Sequence, residues 1–187
     1  MTDTDHFETF MKNYQNMVFS TAVRLLGNET DALDVSQEVF IKAHSHFADL
    51  AKSPTAGGWL KTVTRNLCLN HLTRYRARWR FFSEMGAEDS DERFEESLPA
   101  ADLHDRHHDE ADRQHHVEAA LQKLPSEQRV HLVLYHFEDM SYEDIAKQLG
   151  VSLGKIKTDI HRGREALRKK LMLSPIRESF LPGIAPA

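Results

Sequence analysis

Near the middle of the chain, the stretch EMGAEDSDERFEESLPAADLHDRHHDEADR, residues 84–113, carries twelve Asp or Glu against three Lys or Arg and few large apolar groups. Such a segment cannot bury enough apolar surface to offset the entropy of ordering it, and its like charges repel and favour extension. It is predicted to be a flexible acidic linker, which means that whatever folds must do so in the pieces on either side. In a chain of 187 residues each piece is long enough only for a small domain. Residues 1–83 hold ten Lys/Arg and eight Asp/Glu, and residues 114–187 hold eleven and nine, so the formal net charge of −5 conceals two mildly basic segments. For a polyanionic partner the local field counts, not the total.

Both flanking pieces carry helical periodicity. In DHFETFMKNYQNMVFSTAVRLLGN the apolar positions Phe7, Phe10, Met11, Tyr14, Val18, Ala22 and Leu25 or Leu26 recur at spacings of three and four, and Gly27-Asn28 is the predicted stop. Thr30 or Asp31 is the predicted cap of a second helix with Leu33, Val35, Val39, Phe40, Ala43 and Phe47 as its apolar stripe. Ser-Pro and Gly-Gly content makes Ala48–Gly58 a loop, followed by a long helix from about Gly58 to Phe82 with Trp59, Leu60, Val63, Leu67 and Leu72 on one side. Beyond the linker, HHVEAALQKL groups Val117, Leu121 and Leu124 and ends at Pro125. Ser126 is the predicted cap of EQRVHLVLYHF, a buried central helix. No stretch alternates with period two between hairpin turns. The fold class is therefore all-α: two small helical domains, 1–83 and 114–173, joined by the linker 84–113, with a disordered tail at 174–187.

A single cysteine, Cys68, excludes an intrachain disulfide framework and Cys-rich zinc sites, and its helical setting suits a small buried hydrophobe better than a reactive thiol. No apolar run could span a bilayer, and MTDTDHFETF has neither the basic nor the apolar region of a signal peptide. A cytoplasmic protein with no direct membrane insertion is expected. His104, His107, His108, His115 and His116 form a cluster with nearby carboxylates that could bind zinc or nickel. A flexible host segment does not preform such a site and no HExxH motif occurs, so we expect no metal, no cofactor and no catalytic residues.

The most specific local pattern is MSYEDIAKQLGVSLGKIKTDIHRGREALRKKL, residues 140–171. Ser141 with Asp144 suits a helix start, Gly150 suits the left-handed exit from that helix, and Ser152 suits the cap of a second helix. Ile145, Ala146 and Leu149 face inward on the first helix; Ile156, Ile160, Gly163 and Leu167 do so on the second. Lys155, Thr158 or Asp159, and Arg162 are left on another face, flanked by Lys157 and Arg164. Two helices about a glycine turn are the helix-turn-helix arrangement, whose second helix fits a major groove; a plain helical hairpin with a solvated basic face has the same local pattern. A second basic feature, TRNLCLNHLTRYRARWRFF, interleaves Arg65, Arg74, Arg76, Arg78 and Arg80 with Tyr75, Trp79, Phe81 and Phe82. Aromatic rings among arginines can stack exposed bases and hold a sugar-phosphate strand.

With these residues in place the chain resembles the sigma-70 family of RNA polymerase sigma factors, specifically the extracytoplasmic-function (ECF) group. The resemblance is carried by GNETDALDVSQEVFIKAHSHF joined to GGWLKTVTRNLCLNHLTRYR, and by ALQKLPSEQRVHLVLYHFEDM followed by the pattern above, together covering about residues 7–82 and 115–172. It implies a non-enzymatic subunit that binds core RNA polymerase through the β′ clamp helices and the β subunit, directs it to promoters and assists duplex opening. Asp31, Asp34, Gln37, Glu38 and Phe40 fall at the polymerase-docking positions of the family. Arg65, Asn66, Asn70, Arg74, Tyr75, Arg76, Arg78 and Trp79 fall in the helix that captures the non-template single strand of the minus-ten element. Ser152, Lys155, Lys157, Thr158, Arg162 and Arg164 fall in the unit that reads the double-stranded minus-35 element. An anti-sigma protein is the further partner implied.

The chain departs from the family pattern at several points. Gly154-Lys155-Ile156-Lys157-Thr158 stands where Gly-Thr-Val-Lys-Ser is usual, Asn70 where aspartate is usual, and Gly163 where alanine is more frequent. Ala56 replaces a common aromatic in the loop before the minus-ten helix. The alternatives are a stand-alone helix-turn-helix transcriptional regulator and a metal-dependent enzyme built on the histidines. The docking helix and the aromatic-arginine helix favour the initiation factor. Linker acidity suggests a mimic of nucleic acid within the polymerase.

Overall fold

A computed structural model describes residues 3–84 and 109–173, with side-chain surroundings for 5–74 and 115–173. Among the described residues all regular structure is helical: α1 (Asp3–Leu26), α2 (Glu29–Ser45), α3 (Phe47–Leu50), α4 (Ala56–Glu84), α5 (Asp109–Gln122), α6 (Ser126–His136), α7 (Tyr142–Leu149) and α8 (Leu153–Met172). Helices α1, α2 and α4 pack together as one cluster, and α5–α8 form a second around α6 and α8. Most of the stretch between them, and the tail from 174, lie outside the described residues, together with His104, His107 and His108. Helix α5 starts at Asp109, inside the stretch expected to be linker.

In the first cluster, where α1 packs on α2, the core includes Val18, Ala22 and Leu25 of α1 and Val35, Val39 and Ala43 of α2, all nearly or fully buried. Burying each large aliphatic side chain contributes about 1.5–3 kcal/mol, the main stabilising term for a bundle of this kind. Gly27 ends α1 at φ +68°, the left-handed region that favours glycine. The cap of α2 is Asn28, not Thr30 or Asp31: the Asn28 side chain accepts from the Asp31 N–H at 3.0 Å. Asn28 is the last extended residue before the helix, which places its amide oxygen one turn from the free N–H groups.

Two further expectations change. The segment 48–58 is not one loop: α3 occupies its start, only residues 51–55 form the turn, and Ala56 is buried as the first residue of α4. On α4 the buried row is Ala56, Leu60, Thr64 and Cys68, with Trp59, Val63 and Leu67 only partly buried beside it. Thr64 can occupy this core row because its hydroxyl donates to Leu60 O at 2.7 Å and leaves no unsatisfied group. Cys68 is fully buried, and burial pushes its thiol up to about 12, so it is a packing residue.

In the second cluster Leu121, Leu124, Val130, Leu132, Val133, Leu134, Ile145, Ile156 and Ile160 form the core. Ser126 does not cap α6; it is the first helical residue, Pro125 holds the cap position, and no side-chain cap bond forms. Gly163 lets α8 approach α6: a Cβ there would stand 3.3 Å from Gln128 O. No helix among the described residues is long and apolar enough to cross a membrane.

Candidate nucleic-acid and partner interfaces

The outward side of α2 is unusual in being partly apolar. Leu33 is 53% exposed and Ile41 68%, although Leu33 was expected to join the buried stripe. With Gln37, Phe40 and His44 they face Phe7, Met11 and Phe19 of α1 across an open groove of about 770 Å³. Asp34 and Glu38 are exposed on the same helix, with Lys42 3.8 Å from Glu38. Asp31 is half-buried, 3.7 Å from His71 Nε2 on α4. An apolar groove edged by carboxylates suits a helical partner that brings apolar and basic side chains together. Of the expected docking residues, Gln37 and Phe40 line the groove, Asp34 and Glu38 flank it, and Asp31 turns toward α4.

On α4, Thr62, Asn66, Asn70, Thr73 and Arg74 are exposed along one side. Tyr75, Arg76, Arg78 and Trp79 continue the helix, but their side chains lie outside the described residues. Arg65 is turned toward the second cluster, its Nη1 3.9 Å from Glu138 Oε2. Asn66 Oδ1 accepts from Gln148 Nε2 of α7 at 3.4 Å. The basic helix therefore meets the second cluster where α4 and α7 adjoin.

Around Gly150, the backbone follows the sequence closely. Ser141 Oγ accepts from the Asp144 N–H at 3.1 Å and donates to the Asp144 carboxylate at 2.7 Å. Gly150 adopts φ +65°, and Ser152 Oγ accepts from the Lys155 N–H at 3.2 Å to start α8. The exposed stripe of α8 is Lys157, Thr158, His161, Arg162, Glu165, Arg168 and Lys169, with Arg164 beside it. Arg164 packs back on α6, over the Tyr135 ring and with its Nε 3.1 Å from His136 Nε2. Asp159 is not on the outward face: it is 7% exposed and points at α6, where Lys155 also turns. The Asp159 carboxylate can be buried on this side because Lys155, one turn earlier on α8, and His131 of α6 both lie 3.1 Å from it.

Sequence reasoning missed the residues that join the two clusters. The Arg129 guanidinium is 6% exposed; it donates to Leu26 O at 2.8 Å and Leu124 O at 3.1 Å, the carbonyl ends of α1 and of the chain after α5. Burial holds its pKa down at about 10. Arg24 pairs with Glu118 and lies over the Phe137 ring at 4.7 Å. Lys61 Nζ donates to Phe137 O at 2.6 Å and lies 3.4 Å from Glu138. Burial raises the Glu138 carboxyl above its ordinary value, against the opposing pull of Lys61 and Arg65. These partners lie roughly 75 to 100 residues apart in sequence, so no local pattern announces them. Among the described residues no group of three His, Cys, Asp or Glu could hold a metal ion.

Comparison with known families accounts for both clusters. Residues 10–79 match "Sigma-70 region 2" and residues 115–167 match "Sigma-70, region 4". The chain belongs to the ECF group of the sigma-70 family of RNA polymerase sigma factors. It is 37% identical over 170 residues to the ECF RNA polymerase sigma factor SigE of Mycolicibacterium smegmatis, a match covering 88% of this chain and 61% of that protein. It is 26% identical to the ECF RNA polymerase sigma factor SigW of Bacillus subtilis, covering 90% of each. It is 32% identical to the RNA polymerase sigma-H factor of Pseudomonas aeruginosa, covering 90% of this chain and 88% of that one. As a member of this family it binds core RNA polymerase and directs promoter recognition and opening, and it performs no catalysis of its own.

Proposed function

We propose that this sigma factor docks on the β′ clamp helices of core polymerase through the α1–α2 groove, holds the opened minus-ten strand with α4, and reads the minus-35 element with α7–α8 as a helix-turn-helix. The observation that carries this reading is the order of three surfaces along one chain, each within a matched sigma-70 region. They are an acid-edged apolar groove, a helix of arginines and aromatics, and a glycine-turned helix pair with an outward basic stripe. At the groove, Phe40, Leu33 and Ile41 supply apolar contact and Gln37 an amide for hydrogen bonding, while Asp34 and Glu38 meet basic residues of the partner. On α4, Asn66, Asn70 and Arg74 offer hydrogen bonds and charge to the strand, and Arg65, Tyr75, Arg76, Arg78 and Trp79 complete the site. On α8, Lys157, Thr158 and Arg162 face the groove of the duplex, Ser152 sets the start of the helix, and Arg164 is steadied on Tyr135.

Minus-ten and minus-35 elements are about 25 base pairs apart, roughly 85 Å of duplex at 3.4 Å per step. Asn66 and Gln148 touch in this structure, so the two clusters must part when both elements are engaged, with the chain between α4 and α5 as the tether. An anti-sigma protein is the partner proposed to compete for the α1–α2 groove, and the working compartment is the cytoplasm. The test is transcription in vitro from a mapped promoter with sigma-free core polymerase. Stimulation by the purified chain is expected. An effect that still requires another sigma factor would point to a stand-alone helix-turn-helix regulator instead.

A further inference from the structure

Lys155, the residue at which the start of α8 departs from the family pattern, is bound within the protein. Its ammonium donates to Glu127 Oε2 at 2.6 Å and lies 3.1 Å from Asp159 Oδ2. The same Asp159 oxygen is 3.1 Å from His131 Nδ1. Glu127 is in the first turn of α6 and His131 follows one turn later, so these four side chains join the N-terminal turns of α6 and α8. His131 is 3% exposed, and burial lowers its pKa below the ordinary histidine value; the neutral ring cannot balance the Asp159 charge. Lys155 supplies that balance, and a buried carboxylate without a cation is strongly unfavourable.

Were Lys155 to swing out to a DNA phosphate, it would leave Glu127 and Asp159 without its charge beside a polyanion. Its own backbone is also fixed, since its N–H donates to Ser152 Oγ. We propose that Lys155 is a positioning residue: it clamps the first turns of α8 onto the start of α6 through Glu127 and Asp159, and so sets the angle at which Lys157, Thr158 and Arg162 meet the duplex, without contacting DNA itself. This rests on α8 being the promoter-reading helix.

The test uses the full chain reconstituted with core polymerase, and a library of duplexes randomised across the minus-35 region and enriched with the wild-type holoenzyme. Lys155→Met and Glu127→Gln are each expected to shift the preferred bases in the same way, and to weaken binding to the best wild-type duplex about tenfold. The double variant is expected to be no worse than either single one, and Lys155→Arg to keep the wild-type profile. The slope of log affinity against log salt should stay unchanged, whereas losing a phosphate contact lowers it by about 0.9. Lys155→Met paired with Asp159→Asn removes both charges and should give the same shifted profile where the single variant fails to fold. A slope lowered by about one with unchanged base preference, together with tighter binding by Glu127→Gln, would overturn the clamp and make Lys155 a phosphate contact. If the wild-type holoenzyme enriches no sequence, the assignment of α8 falls, and the clamp with it.

Discussion

The contact between Gly27 and Arg129 joins the two helical clusters, and a double-mutant cycle can measure it. A Cβ added at Gly27 would stand 2.5 to 2.7 Å from the guanidinium carbon and nitrogens of Arg129. The guanidinium ends a flexible side chain, so steric repulsion alone would be relieved by moving it. What moves with it is its bonding to Leu26 O and Leu124 O. A hydrogen bond from a charged donor contributes about 1.5–3 kcal/mol, and alanine at a left-handed φ costs about 1–2 kcal/mol more. Gly27→Ala is therefore expected to destabilise the full-length chain by about 3–5 kcal/mol through that strain plus the loss of one of the two bonds.

Arg129→Met loses the same bonds but also removes a buried charge, whose pKa of about 10 corresponds to about 3 kcal/mol of desolvation. Its net cost should be only about 1–3 kcal/mol, because these terms oppose each other. In the Arg129→Met background the alanine meets no guanidinium, and only the backbone strain of about 1–2 kcal/mol remains. The strain cancels, so the cycle should show a coupling of about 1.5–3 kcal/mol, the contribution of the lost bond. Denaturant unfolding of the four chains gives the energies, and amide exchange at the end of α1 and the start of α6 shows where protection is lost. Effects that add to within about 0.5 kcal/mol would refute the contact.

Three further outcomes follow from the geometry. Ile41→Ser should weaken core-polymerase binding about 10- to 100-fold, the equivalent of about 1.5–3 kcal/mol for an aliphatic side chain buried on docking. Its melting temperature should not move, because Ile41 is already 68% exposed; a fall in both would show that Ile41 serves the fold. For pH, burial lowers the His131 pKa, with His136 shifted the same way. The unfolded chain then takes up protons first, so the stability held above about pH 6.5 declines as pH falls through that value, by at most about 1.4 kcal/mol per unit for each group. Wild type should melt lower at pH 5.5 than at pH 7.5, and His131→Gln should narrow the gap; an unchanged gap would exclude His131 as its source. Cys68, buried with its thiol held at about 12, should resist a thiol-modifying disulfide reagent in the native chain and react on denaturation; rapid native reaction would contradict the packing of α4.

How much was legible in the sequence depended on how far apart the interacting residues were. Ser141, Gly150 and Ser152 act within four residues of their partners, and the structure shows the turn and both caps at those positions. The periodicity of α1 placed Val18, Ala22 and Leu25 inward for the same reason: one helix face is a local property. Residue type misled where a polar group satisfied itself. Thr64 carries the buried row of α4 because its hydroxyl bonds to its own helix, while Trp59, Val63 and Leu67, more apolar to the eye, sit beside that row. Leu33 misled in the opposite direction, an apolar residue left outside on α2.

The sequence by itself determined that the chain is helical, where its long helices fall apart from α3 and the start of α5, where the Gly150 turn falls, and to which family it belongs. Those properties reside in spacings of one to four residues and in the order of motifs. Tertiary structure decided that Asp159 turns inward, that Lys155 is bound between two carboxylates, and that Arg129 closes the end of α1, far from it in the chain. The physical reason is that a polar group can be buried only where its partners are. Although Lys155 and Asp159 are neighbours on α8, the Glu127, His131 and Leu26 groups that complete these contacts lie on other helices whose positions no local pattern encodes.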